Sequence, residues 1–142
     1  MSDDEIKMTG GVQPGRITLY EPSDKEIVAE AAGRLVEICH GNAVAAGWWN
    51  DTSARDIPRL LMLCVSELAE AMEGDRKGLM DDHLPHRSML EVELADAVIR
   101  IMDMAGGLGL DLPGAIAEKL EYNKARQDHK LENRAKDGGK KY

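Results

Sequence analysis

The chain contains no Phe, only 4% aromatics, two Cys and five Pro in 142 residues. Sheet cores draw on aromatic and β-branched side chains, so a sequence whose middle is dominated by Ala, Leu, Met and Glu favours helix over strand. Cys39 and Cys64 stand far apart, each inside an apolar helical pattern. Neither belongs to a disulfide scaffold or a CxxC redox pair, and both are expected as buried free thiols of a reducing compartment. Basic residues are outnumbered, 18 Lys and Arg against 26 Asp and Glu, for a formal net charge of −8. A nucleic-acid surface needs a basic footprint for counterion release, so extended DNA or RNA is not an expected partner. An anionic ligand of such a protein needs a divalent cation between itself and the carboxylates. Long hydrophobic runs are missing too, and "MSDDEIKMTGG" lacks the basic-then-apolar order of a secretory leader. The expectation is a cytoplasmic protein with no membrane partner.

What the chain does have is helical period. Its length and its apolar fraction of 43% fit one domain with one core. Residues 1–22 mix Gly, Pro and charge without helical spacing and read as an N-terminal arm, with a short extended piece at "RITLY". At "SDKE", Ser23 and Glu26 form a capping box, and Ile27, Ala31, Leu35 and Ile38 follow at helical spacing to about Ala46. "GWWNDTSARD" interrupts the pattern. Asp56, Ile57 and Pro58 then open a second helix to about Lys77. After the loop "GLMDDHLPH", a second capping box of Ser88 and Glu91 opens a third helix through about Ala105, closed by "GGLGLD". Asp111 with Pro113 starts a fourth, to about Ala135, and residues 136–142 form a polar C-terminal tail. The expected architecture is all-α, a four-helix bundle over residues 23–135.

On the second helix, "SELAEAMEG" places Glu67 and Glu70 at the border of the stripe Ile57, Leu60, Leu61, Cys64, Leu68, Ala71 and Met72. No Lys, Arg or His lies within a helical turn of either, so a local salt bridge does not neutralise them. The third helix is apolar nearly all round, which predicts burial, and its narrow polar stripe is Glu93, Asp96, Arg100 and Asp103. An antiparallel hairpin of these two helices brings Glu67, Glu70, Glu93 and Asp96 together. Four bare carboxylates at low dielectric repel one another, and oxygen-only ligands without His or Cys select Mg²⁺ or Mn²⁺ over Zn²⁺ or copper. Set against this is the reading of the acids as solvated helix faces, with Arg100 pairing Asp96 at i,i+4. A di-iron centre is disfavoured, because its Glu-x-x-His ligand pairs are missing. On the fourth helix Lys119, Asn123, Arg126 and Lys130 share a face suited to phosphate oxygens, or to plain solvation near a helix C-terminus.

"SELAEAMEG", "EVELADAVIRIMDMAG" and "EKLEYNKARQDHK" together resemble the MazG-like branch of the all-α nucleoside triphosphate pyrophosphatases, relatives of dimeric dUTPases and of phosphoribosyl-ATP pyrophosphatase. The resemblance covers about residues 23–135 and rests on ExxE, a helical hairpin, ExxD and K-x-x-x-N-x-x-R in that order. It implies Mg²⁺ held by Glu67, Glu70, Glu93 and Asp96, with Mn²⁺ able to substitute, and phosphate contacts from Lys119, Asn123 and Arg126. It also implies cleavage of a (d)NTP between the α and β phosphates, with Glu67 or Glu70 as base, in a homodimer or homotetramer. By analogy with phage-type relatives dGTP is the first-guess substrate; dUTP, dCTP and damaged nucleotides stay open. In such relatives the region of "GWWND" lies near the base pocket, so one of Trp48 and Trp49 is expected to contact base, the other reading being an indole that plugs the core. His83 and His86 read as surface residues or part of a lid. A rival of another class is a non-catalytic helical adaptor that keeps the fold.

Overall fold

The computed structural model describes residues 20–51 and 55–140. Four long helices run in chain order: α1 (Asp24–Ala45), α2 (Ile57–Lys77), α3 (Met89–Leu108) and α4 (Leu112–Ala125). A short 3₁₀ turn (Gln127–His129) and one helical turn, α5 (Leu131–Arg134), complete the described C-terminal segment. Among the described residues there is no strand, only an isolated antiparallel bridge between Met80 and Ser88 across the base of the α2–α3 loop. The all-α class is therefore observed. Among the described residues no helix is long and apolar enough to cross a membrane. The expected N-terminal arm and its extended piece lie outside the described residues, apart from residues 20–22.

Local chemistry sets most boundaries. Both expected capping boxes form: the Ser23 hydroxyl accepts from the Glu26 N–H while Glu26 reaches back to the Ser23 N–H, and Ser88 and Glu91 do the same. Asp111 accepts from the Gly114 N–H and so caps α4. Two ends differ from expectation. Helix α3 runs three residues past Ala105, through Gly106 and Gly107, and stops only where Gly109 turns left-handed at φ 66°. Helix α4 stops at Ala125 instead of continuing to about Ala135, because Arg126 is extended and forks onto Asp128 at 2.9 and 2.5 Å. Lys130 consequently does not continue the face of Lys119 and Asn123.

Helix α3 is central, packed on both α1 and α2, and α4 packs chiefly on α1. The α2–α3 pair is an antiparallel hairpin: Gly74 meets Met89 near the loop, and Glu67 meets Arg100 farther along. The core between the helices is built of small side chains, with Ala32, Cys64, Ala71, Ala97, Ala105 and Ala117 buried beside Met102. Small residues let helix axes approach closely, and they bury little apolar area each. Large apolar side chains remain outside. Leu61, Val65, Leu68 and Met72 on α2 are 49% to 59% exposed, and Leu94, Val98 and Ile101 on α3 are 36% to 45% exposed. The expected burial of α3 all round is thus met only on the sides facing α1 and α2.

Candidate functional site

Three of the four expected carboxylates converge. Glu67 from α2 with Glu93 and Asp96 from α3 each offer an oxygen within 4.8 Å of the others. Glu67 and Glu93 are buried and Asp96 is half-buried. The i,i+3 spacing on α3 aims Glu93 and Asp96 the same way, and the antiparallel hairpin puts Glu67 opposite them. Glu70 is exposed and outside this trio, though close enough that its charge acts on Glu93.

Burial pushes the Glu93 carboxyl up from 4.5 to about 7, and the hydrogen bond with Glu67 and the charges of Glu70, Glu67 and Asp96 add to the effect. Glu67 has found a cation across the hairpin: the Arg100 guanidinium donates from Nε to Glu67 Oε1 at 2.6 Å. Arg100 therefore pairs with the opposite helix and not with Asp96 four residues back. One guanidinium against Glu67, Glu93 and Asp96 leaves the cluster short of positive charge.

The donor set fits a hard divalent cation. Three carboxylate oxygens within 4.8 Å of one another lie near enough for one divalent cation to be held by all three. Carboxylate oxygens with neither thiolate nor imidazole among them suit Mg²⁺ or Mn²⁺.

The cluster borders a cleft of about 610 Å³ between α1, α2 and α3, lined by Asn42, Trp48, Trp49, Asp96, Arg100 and Asp103 among others. The two tryptophans differ in setting. Trp48 lies at the rim, 73% exposed. Trp49 is wedged against α3, where a Cβ on Gly107 would lie only 2.0 Å from its ring. Its indole N–H donates to Asp103 Oδ1 at 2.8 Å, and His40 Nδ1 reaches the same oxygen at 2.9 Å. The His40 and Trp49 rings meet edge to face, centroids 5.1 Å apart. This His40–Trp49–Asp103 group was not foreseen, since its members lie 54 and 63 positions apart and only packing joins them. The one available signal was the place of Asp103 on the polar stripe of α3.

Of the expected phosphate-binding residues, none lines this cleft. Lys119 Nζ sits 4.6 Å over the Tyr122 ring, Arg126 approaches the same ring at 5.9 Å, and Asn123 keeps a buried Oδ1 with no hydrogen-bond partner among the described residues. His83 and His86 are exposed in the α2–α3 loop, where Asp81 accepts from the His83 and Leu84 N–H groups. Cys39 and Cys64 are free, and burial raises both thiols, which disfavours the nucleophilic thiolate.

No family model, no curated protein and no solved structure matches the chain.

Proposed function

We propose that the chain is a Mg²⁺-dependent nucleoside triphosphate pyrophosphohydrolase that cleaves a (d)NTP between the α and β phosphates to (d)NMP and pyrophosphate. The observation that carries the reading is the convergence of buried Glu67 and Glu93 with half-buried Asp96, within 4.8 Å of one another at the edge of a cleft of about 610 Å³. Such a cluster short of cations fits a triphosphate brought in with its divalent ion, and the cleft has the size of a small-molecule site. The order of ExxE, hairpin and ExxD in the sequence supports the same reading.

In this proposal Glu67, Glu93 and Asp96 hold the cation, Mg²⁺ or Mn²⁺. When bound, it supplies charge neutralisation of the triphosphate and polarisation of the attacking water. Glu70, exposed beside the trio and hydrogen-bonded to nothing described, is the carboxylate left to accept the proton of that water. Arg100 lines the cleft and presents a guanidinium to phosphate oxygens, and the walls formed by Trp48 and Trp49 suit a nucleobase. Lys119, Asn123 and Arg126 keep their proposed phosphate role at a cleft completed by another copy.

A homo-oligomer belongs to the proposal. The exposed residues Leu61, Val65, Leu68 and Met72 recur at spacings of four, three and four, and Leu94, Val98 and Ile101 at four and three. Two adjacent apolar stripes of that period are what a second α2–α3 hairpin covers in a four-helix bundle. The free thiols fit a reducing compartment, the cytoplasm. One observation favours the rival adaptor reading: Arg100 already neutralises Glu67 without any ion.

The test measures phosphate release from NTPs and dNTPs with Mg²⁺, after added pyrophosphatase. Release by the parent chain is expected, and Asp96→Asn or Glu70→Gln should lower the rate at least a hundredfold with helicity unchanged. Asp96→Asn should also weaken Mn²⁺ binding. A parent chain that releases nothing from any nucleotide would favour the adaptor.

A further inference from the structure

We infer that Asp103 is the residue that selects the base, favouring nucleotides whose Watson–Crick edge presents an amino group over uracil and thymine nucleotides. The inference rests on the cleft being the nucleotide site. Asp96 and Asp103 lie seven residues apart on α3, hence on one face and about 10 Å apart along the axis. Both line the same cleft. With the α-phosphate near Asp96, the far edge of a base lies at the Asp103 end.

The setting of Asp103 is built. Its Oδ1 accepts from Trp49 Nε1 at 2.8 Å and from His40 Nδ1 at 2.9 Å, and nothing else described donates to its Oδ2. An indole N–H can only donate, so the carboxylate is held with Oδ1 toward the rings and Oδ2 free. Both rings reach it because α3 carries adjacent glycines. A Cβ on Gly106 would lie 2.5 Å from the His40 Cβ, and one on Gly107 2.0 Å from the Trp49 ring. Two interior helical glycines each sacrifice helix stability relative to Ala. Merely fastening α1 to α3 would need neither a carboxylate at the cleft wall nor an oxygen left over.

The side chain of Asp103 is only 21% exposed, so whatever faces Oδ2 in a filled cleft must donate a hydrogen bond or leave a partly desolvated charge unmatched. Guanine offers N1–H and its 2-amino group, cytosine and adenine an exocyclic amine. Uracil and thymine present carbonyl oxygens on both sides of N3–H, which the carboxylate repels. Sites that hydrogen-bond a substrate amine discriminate against analogues with a carbonyl in its place; N3–H of uracil and thymine still donates to the carboxylate, and with the partial exposure here this holds the effect to about tenfold to a hundredfold.

The experiment is calorimetric binding of the α,β-methylene analogues of dGTP, dCTP, dATP, dUTP and dTTP to the full chain with Mg²⁺. The expected result is that the first three bind at least about tenfold tighter than the last two. Asp103→Asn is the decisive variant: its oxygen still accepts from Trp49 and His40, while an amide N–H₂ replaces the free oxygen. The preference should then collapse or invert toward dUTP and dTTP, which a purely structural role would not produce. Equal binding of all five analogues by the parent chain, or an unchanged preference in a folded Asp103→Asn, overturns the assignment and leaves the nucleotide reading standing. Binding of none overturns both.

Discussion

At the scale of single residues, the site is governed by charges that burial makes costly. Glu93 titrates near 7 in the folded chain and near 4.5 when unfolded, so between those values the folded state holds a proton that the unfolded state has lost. Stability therefore falls as pH rises through that window and is lowest above it. In EDTA, the melting temperature should drop between pH 5.5 and pH 8 by an amount worth on the order of 1 kcal/mol, and Mg²⁺ should abolish the drop. Glu26 has the opposite shift, to about 2, but its window lies below this range. Glu93→Gln should flatten the profile; a variant with the parent slope would show that another group is responsible. Glu67 answers the absence of a local cation in "SELAEAMEG" differently, by borrowing Arg100 from the neighbouring helix. Which acids would be internal was legible from the stripe on α3. That Arg100 would turn to Glu67 and away from Asp96 was not, because both partners satisfy the same charge rule and only the hairpin geometry ranks them.

At the scale of elements, glycine on α3 separates propensity from packing. Sequence rules read "GGLGLD" as a helix end, yet Gly106 and Gly107 stay helical because His40 and Trp49 press against them where any Cβ would collide. Gly107→Ala should thus cost roughly 1–3 kcal/mol despite the better helix propensity of Ala, since the Trp49 ring must leave its place. Gly33→Ala on α1, where a Cβ meets nothing within 4 Å, should gain up to about 1 kcal/mol. Chemical denaturation of the two variants side by side checks this, and a Gly107→Ala as stable as the parent would contradict the wedge. The early end of α4 has a similar lesson. Arg126 finds Asp128 two residues on, and a pairing so local competes with the helix that periodicity alone extends to about Ala135.

At the scale of the molecule, the single chain is under-buried. Its core is mostly alanine, none of the large side chains among the described residues is fully enclosed, and the apolar stripes of α2 and α3 face outward. In the proposal these regular exposed stripes are the surface that a second copy covers. Light scattering after gel filtration should give a mass of two or four chains for the parent. Leu68→Glu combined with Val98→Glu should shift it toward one chain with a lower melting temperature. A monomeric parent chain would remove the self-association from the proposal.

Sequence by itself determined the helices and most of their ends, because capping boxes, proline at a helix start and apolar period act within a few residues. It also marked Glu67, Glu93 and Asp96, since acids on an apolar helix are conspicuous wherever the helix goes. Only the tertiary structure decided that those three converge while Glu70 stays outside, that Arg100 crosses to Glu67, and that His40 and Trp49 clamp Asp103. Each of those depends on the distance and rotation between helices, which close packing of small side chains sets and which no local pattern encodes.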